Sequence, residues 1–331
     1  MGSSDVGRAA FPRATGLLEC VVNVSEGRDQ GLLALLAGAC GPTLLDVHSD
    51  FHHNRSVFTL AGPPVEVEPA VRELARLTVR RLDLRRHSGV HPRFGVLDVV
   101  PFVGLEGWPV QDARAGSPTA MAAAAARQSF AAWAAHTLGL PVFLYGPERS
   151  LPDVRRAAWS QLAPDFGPPA PHPTAGSVAA GWRPLLVAYN LWMAEKVDLM
   201  GAKAIVARLR APEVRALALQ VGACVQVSCN LIRPLQVGPA QVWDEVSRWA
   251  RVSRGEVVGL VPSMVLAATA EDRWAELGLS PSLTIEARLS GQNLPGQNPI
   301  RASLLGQKGG PIGTQAATPP RLLPGKPGAP A

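Results

Sequence analysis

The stretch Arg85-Arg86-His87-Ser88-Gly89-Val90-His91-Pro92-Arg93-Phe94-Gly95 runs straight into the apolar segment Val96–Phe102. The first part places two imidazoles and three guanidiniums within nine residues, 85–93. Gly89 and Pro92 break any helix there, because glycine has a high ordering cost and proline lacks a backbone donor. The segment therefore reads as a loop between a helical pattern that ends near Leu84 and a strand over 96–102. Loops held between rigid elements are where reactive groups concentrate. Histidine titrates near neutral pH and can take or give a proton. Arginine forks bind carboxylates. The stretch pairs a proton-transfer group with anion-binding groups. Five of the seven histidines (His48, His52, His53, His87, His91) lie between positions 48 and 91.

Working outward from that loop, the pattern before it is regular. Leu18–Val24 is rich in β-branched residues and reads as a strand, then comes a helix over about 29–39, then strands at 43–47 and 54–61. A helix over about 65–82 carries Val67, Val71, Leu74, Leu77 and Leu82 near one face. With the strand at 96–102 this is βαββαβ, the ferredoxin-like order. An Ala-rich helix at 117–138 and a strand at 141–145 extend it. Residues 146–182, rich in Pro, Gly and Ala, read as a joining segment with a short helix near 152–162. The same element order then repeats: strand 184–191, helix 197–210, strands 215–221 and 224–231, helix 239–251, strand 255–261, with a helix at 263–277 appended. The expected architecture is mixed α/β (α+β), with two ferredoxin-like subdomains flanking a substrate cleft. The expected boundaries are 17–182 and 183–290, between a disordered N-terminal tail, 1–16, and a disordered Pro/Gly-rich tail, 291–331.

Composition narrows the class. The chain has 331 residues, 47% hydrophobic and 18% charged, with a formal net charge of +6. That describes a globular protein with a substantial core. Its bases are mostly arginine, which suits anionic small molecules. Aromatics make up only 5%, and no aromatic-rich RNA-binding strand is present, so a nucleic-acid partner is not expected. No uncharged apolar run is long enough for a bilayer, so no membrane partner is expected either. The four cysteines (Cys20, Cys40, Cys224, Cys229) form no C-x-x-C pair. They read as reduced thiols of a cytoplasmic protein. His87 and His91 have the spacing of a helical zinc pair, but Gly89 and Pro92 oppose the helix, and no metal is expected.

The ordered motifs resemble the formimidoyltransferase domain of the formimidoyltransferase-cyclodeaminase family. They run along most of 17–290 and include Glu19-Cys20-Val21, Ser25-Glu26-Gly27-Arg28, Leu44-Leu45-Asp46-Val47 and Asn54-Arg55. The densest part is Arg86-His87-x-Gly89-x-His91-Pro92-Arg93-x-Gly95-x-Leu97-Asp98-Val99-x-Pro101-Phe102. Leu144-Tyr145-Gly146, Ala163 to Pro168, Tyr189-Asn190 and Val258 to Pro262 follow. The resemblance implies transfer of a formimidoyl group from N-formimidoyl-L-glutamate to N5 of tetrahydrofolate, which is a co-substrate. That reaction belongs to one-carbon metabolism and histidine degradation. The resemblance implies His91 as general base and suggests a homodimer. It implies folate contacts in Gly167–Gly176, here Gly167, Pro168, Thr174 and Gly176. Asn54, Arg55, Arg86 and Arg93 are expected to bind substrate carboxylates or orient the substrate. His87 is expected to orient or share the proton, and Asp46 to hold a histidine tautomer.

The chain departs from the family pattern at four places. His48 stands where members carry Asp, and Val90 stands where a Glu precedes the His-Pro pair. Loss of two carboxylates beside the base should lower its pKa. Ala175 replaces a Trp, and the hairpin at Gly222-Ala223 lacks an aromatic-bearing loop, which removes stacking surface. The alternatives that these departures raise are action on 5-formyltetrahydrofolate or another amidine or N-acyl donor, or folate binding without catalysis.

Overall fold

A computed structural model describes residues 16–194, 197–291 and 300–302. It is a mixed α/β structure with two sheets. The first half runs β1 (Leu17–Val24), α1 (Gln30–Ala39), β2 (Leu44–Asp50), β3 (Arg55–Gly62), α2 (Pro64–Arg81) and β4 (Leu97–Glu106). The short β5 (Gln111–Asp112), α3 (Pro118–Leu138), β6 (Val142–Tyr145), α4 (Leu151–Ala157) and β7 (Val178–Trp182) follow. The second half runs β8 (Val187–Met193), α5 (Leu199–Leu209), β9 (Val214–Val221), β10 (Cys224–Leu231), α6 (Pro239–Ser247) and β11 (Val252–Val258). Three short helices, α7 (Ser263–Ala267), α8 (Trp274–Leu277) and α9 (Ile285–Leu289), and the strand β12 (Ile300–Ala302) complete it.

Local chemistry sets the helix ends. Asp29 caps α1 by accepting from Leu32 N, and Ser117 caps α3 by accepting from Ala120 N. Gly139 closes α3 at φ 63°, a left-handed position that costs glycine little.

The first sheet has the order β12-β2-β3-β1-β4-β7-β6, with β5 paired to β4, and the second has the order β11-β8-β10-β9. In each half the four strands of the βαββαβ run lie in the same relative order, second-third-first-fourth, with antiparallel neighbours.

Strand alternation gives each sheet two faces. Leu18, Cys20, Val22 and Val24 of β1, with Phe58, Leu60 and Val47, pack under the helices of the first half. Tyr189, Leu191, Val227 and Cys229 do the same in the second half. The opposite faces carry polar groups. Glu19, Asn23, Asp46, His48, Asp50, Arg55 and Thr59 share one face by their register. Asn190, Gln226, Ser228 and Glu256 share the other. These two faces meet: His53 Nε2 lies 3.0 Å from Gln226 Oε1, and His48 Nε2 lies 3.8 Å from Glu256 Oε1. An apolar cluster that includes Leu45, Ala61, Val103, Leu105, Leu260 and Ile285 seals part of the same seam.

Several expectations change. Residues 146–182 are not only a connection, because β7 lies within them, parallel to both β4 and β6. Its Val178, Ala179 and Ala180 are fully buried, and a Cβ on Gly181 would fall inside the Tyr145 ring. Small residues that fit a crowded interior strand look like a loop in composition. The expected strand at 255–261 lies at Val252–Val258 and stops before Gly259, where φ is 85°. The expected helix at 263–277 is two pieces, the second closed by Gly278 at φ 68°. Ile300–Ala302, expected in a structureless tail, pairs parallel with β2. The rest of both expected tails lies outside the described residues, apart from Gly16 and Gly291.

Candidate functional site

The loop 87–95 is built by its own side chains. Arg93 donates to the carbonyls of Gly89 and His91 and to His87 Nδ1. Nε2 of His87 lies 2.8 Å from the Asn54 carbonyl. A carbonyl only accepts, so His87 carries its proton on Nε2, and Nδ1 accepts from Arg93. Both ring nitrogens of His87 are thus engaged. Asn54, at φ 47°, accepts from Gly27 N at 2.9 Å and donates to the Ser88 carbonyl at 3.0 Å. It ties three loop segments together. Gly89 has no room for a side chain, since a Cβ would collide with the His53 carbonyl.

His91 is half-buried at the rim of the polar seam. Its ring stands edge-on to His53, with centroids 5.9 Å apart, and His53 reaches across to Gln226 of β10. Nδ1 of His91 lies 2.7 Å from the Pro92 carbonyl, so Nδ1 donates and Nε2 keeps a lone pair. Burial, then the Arg55 guanidinium, push the His91 pKa down to about 3. The leading cause is desolvation, and positions 48 and 90 are not among the causes. His91 is therefore neutral across the physiological range, with its basic nitrogen unengaged by the Pro92 bond.

Asp98 anchors the loop from below. In the β1–β4 pairing, Asn23 faces Val99 and Val24 faces Leu97, so Asp98 is the extra residue of a bulge. A bulge re-aims a side chain, and here it turns Asp98 toward the loop. Asp98 accepts from Arg55 Nη1 at 2.6 Å, Arg155 Nη2 at 2.7 Å and Phe94 N at 2.5 Å. Burial alone would raise its pKa, but Arg55, Arg155 and the Phe94 N–H outweigh it and hold the carboxyl at about 2. Asp98 and Arg155 are parts of the site that the sequence reading passed over. Asp98 sat inside a strand, and Arg155 sat in a segment taken for a connector.

The other expected residues separate. Arg55 is near His91 but is committed to Asp98 and to Asn23 Oδ1. Arg93 is consumed within the loop, and Arg86 is exposed on the turn before it. Arg28, exposed, reaches the same rim through Ser88 Oγ and stacks on Phe51. Asp46 is fully buried, 3.7 Å from Arg288. Carbonyl oxygens, not Asp46, set the tautomers of His87 and His91, because they lie next to the rings. Thr174 and Gly176 adjoin the loop: Leu84 N donates to the Thr174 carbonyl, and Gly176 bridges Gly95. Gly167 lies elsewhere, where a Cβ would meet the Leu140 carbonyl, with Pro168 beside it. Ala175 is buried in the first core. Among the described residues, no three His, Cys, Asp or Glu side chains converge as a metal-holding group. No helix among them is long and apolar enough to cross a membrane.

A cavity of about 450 Å³ opens away from the loop, beside Gly104 of β4 and Asp112 of β5. Tyr145, Trp182, Leu151, Arg183 and Arg215 are among its walls. From Asp98 to Gly104, at its edge, is six strand steps, roughly 20 Å.

A family model described as the N-terminal subdomain of the formiminotransferase domain matches residues 17–183. A glutamate formimidoyltransferase of Streptococcus pyogenes serotype M1 is 32% identical over 285 residues, covering 77% of this chain and 92% of its own length. A formimidoyltransferase-cyclodeaminase of Sus scrofa is also 32% identical over 285 residues, but this chain spans only 51% of its length. A glutamate formimidoyltransferase of Thermoplasma acidophilum is 30% identical over 286 residues, covering 76% of this chain and 89% of its own length.

Proposed function

This chain belongs to the formiminotransferase family, and from that premise we propose that it moves a formimidoyl group from N-formimidoyl-L-glutamate to N5 of tetrahydrofolate, with His91 as general base. Relatives named glutamate formimidoyltransferase make it a transferase. The observation that carries the finer reading is His91 itself, a neutral imidazole at the seam with a lone pair on Nε2.

The chemistry needs one proton carrier. N5 attacks the amidine carbon, a C–N bond forms, and the N5 proton passes to His91 Nε2. As the tetrahedral intermediate collapses, the same proton goes to the departing nitrogen, the old C–N bond breaks, and glutamate leaves. A pKa of about 3 makes the empty site a weak base. A bound dicarboxylate places negative charge nearby and raises it toward the working range. Arg85, exposed beside the loop, is paired with Asp83, so the exposed Arg86 and Arg28 are assigned to the donor carboxylates. Arg55 acts electrostatically on His91, while Arg93, His87 and Asn54 hold the loop. Asp46 has a structural role, paired with Arg288.

For the folate, Thr174 and Gly176 are supported by adjacency to the loop. Gly167 and Pro168 remain in the assignment, although Gly167 also has a packing reason to be glycine. Two ferredoxin-like subdomains meeting near residues 182–183 is the proposed architecture, supported by the repeated strand order. A homodimer in the cytoplasm is proposed from the family likeness.

Turnover of formimidoylglutamate with tetrahydrofolate tests this. His91→Ala should lower kcat by about two orders of magnitude or more and leave the melting curve in place. In the wild type, kcat/KM should show no histidine ionisation between about pH 5 and 8, since the free base is already neutral. Near-normal turnover of His91→Ala removes His91 from the mechanism.

A further inference from the structure

We infer that Arg155, on α4, is a positioning residue for His91: it holds the Pro92 carbonyl that fixes the tautomer of the imidazole. This rests on the reading of His91 as the base. The tautomer contact joins adjacent residues, from His91 Nδ1 to the Pro92 oxygen at 2.7 Å. So local a contact lasts only while that peptide is kept from rotating. Arg155 Nη1 donates to the same oxygen at 3.3 Å, from 63 residues along the chain.

Arg155 is itself fixed at two further points. Nη2 donates to Asp98 at 2.7 Å, and the guanidinium lies 5.0 Å over the Phe94 ring. Asp98 also accepts from Phe94 N, so one buried carboxylate secures the arginine and the backbone just after the carbonyl. Arg93 holds the preceding carbonyl, that of His91, through Nε at 3.1 Å and Nη2 at 2.7 Å. The two peptides flanking Pro92 are thus clamped by two arginines.

The consequence is chemical. A neutral imidazole has one protonated nitrogen, and only the other accepts a proton. With Nδ1–H directed to Pro92, Nε2 is the acceptor. If the carbonyl turns away, Nδ1–H loses its partner in a half-buried site, and the Nε2–H form competes. That form cannot accept the N5 proton at Nε2. A carboxylate usually does this orienting work, whereas here a carbonyl held by Arg155 does it.

The test combines tautomer and turnover on the full chain. Nitrogen-15 NMR of His91 should show Nδ1 protonated and Nε2 bare in the wild type. Arg155→Met should shift the signals toward the Nε2–H form and lower kcat about tenfold or more, with KM for formimidoylglutamate changed about twofold at most. Arg155→Lys, which keeps charge and much of the reach, should restore part of both. A wild-type ring protonated on Nε2, or an Arg155→Met ring still protonated on Nδ1, overturns the inference. So does an Arg155→Lys protein no better than Arg155→Met. If Arg155→Met does not fold, the wild-type spectrum and Arg155→Lys decide. The tautomer is read without turnover. Loss of the general-base reading, seen as an active His91→Ala, is therefore distinct from loss of this one.

Discussion

Glu19 lies on the polar face of β1, 3% exposed, with Arg183 and Asp112 as its charged neighbours. Burial, only partly offset by Arg183, raises its pKa from 4.5 to about 7. The folded protein therefore prefers the neutral acid. Its contribution is complete below 4.5, where folded and unfolded forms are both protonated, and is lost as pH rises through 7. Glu19→Gln should raise Tm relative to wild type at about pH 8 and leave it unchanged near pH 4. A lower Tm at the higher pH would mean that the ionised carboxylate is what the fold needs. His91 has the opposite sign. Its pKa falls from 6.5 to about 3, so its contribution is present above 6.5 and is lost as pH falls toward 3.

At the scale of elements, the bulge in β4 matters most. It brings Asp98 out of strict alternation and under the loop, where it joins Arg55 of β3, Arg155 of α4 and the Phe94 amide. Asp98→Ala would leave two guanidiniums without their shared anion. Denaturant unfolding should then show a loss of about 3–5 kcal/mol, the cost of breaking a buried pair from one side. A loss below about 1 kcal/mol would place the cluster among weak surface pairs. The order of elements through β4 was legible because β-branched runs and helical stripes follow one another cleanly there. The strand β7 was not, because Ala179, Ala180 and Gly181 are small for tertiary reasons: they lie between β4 and β6, with Gly181 under the Tyr145 ring.

For the whole molecule, the decisive feature is that two polar sheet faces oppose each other. Polar faces do not attract by area, so the seam depends on specific contacts and on the apolar cluster around Leu260 and Ile285. The His53–Gln226 hydrogen bond, spanning 173 residues, is one such contact. A double-mutant cycle with His53→Ala and Gln226→Ala should give a coupling of about 1 kcal/mol. Zero coupling would mean that the halves are joined elsewhere. Glu286 of α9 adds another tie, accepting from Val110 N at 3.0 Å and Ser263 N at 2.8 Å.

Local information was enough for the repeated element order and the position of the His-rich loop, because each depends on neighbours within a few residues. The ordered motifs were enough for the family. The roles of the charged residues were a different matter. Arg55, Arg86 and Arg93 look alike in sequence, yet Arg93 is spent on carbonyls, Arg55 on Asp98 and Asn23, and Arg86 stands exposed. Whether a guanidinium is available to a ligand depends on which partners the fold brings within reach, and those partners come from distant parts of the chain. The same holds for the imidazole: the motif drew attention to His91, but its tautomer and low pKa arise from a carbonyl, burial and an arginine that only the packed structure brings together.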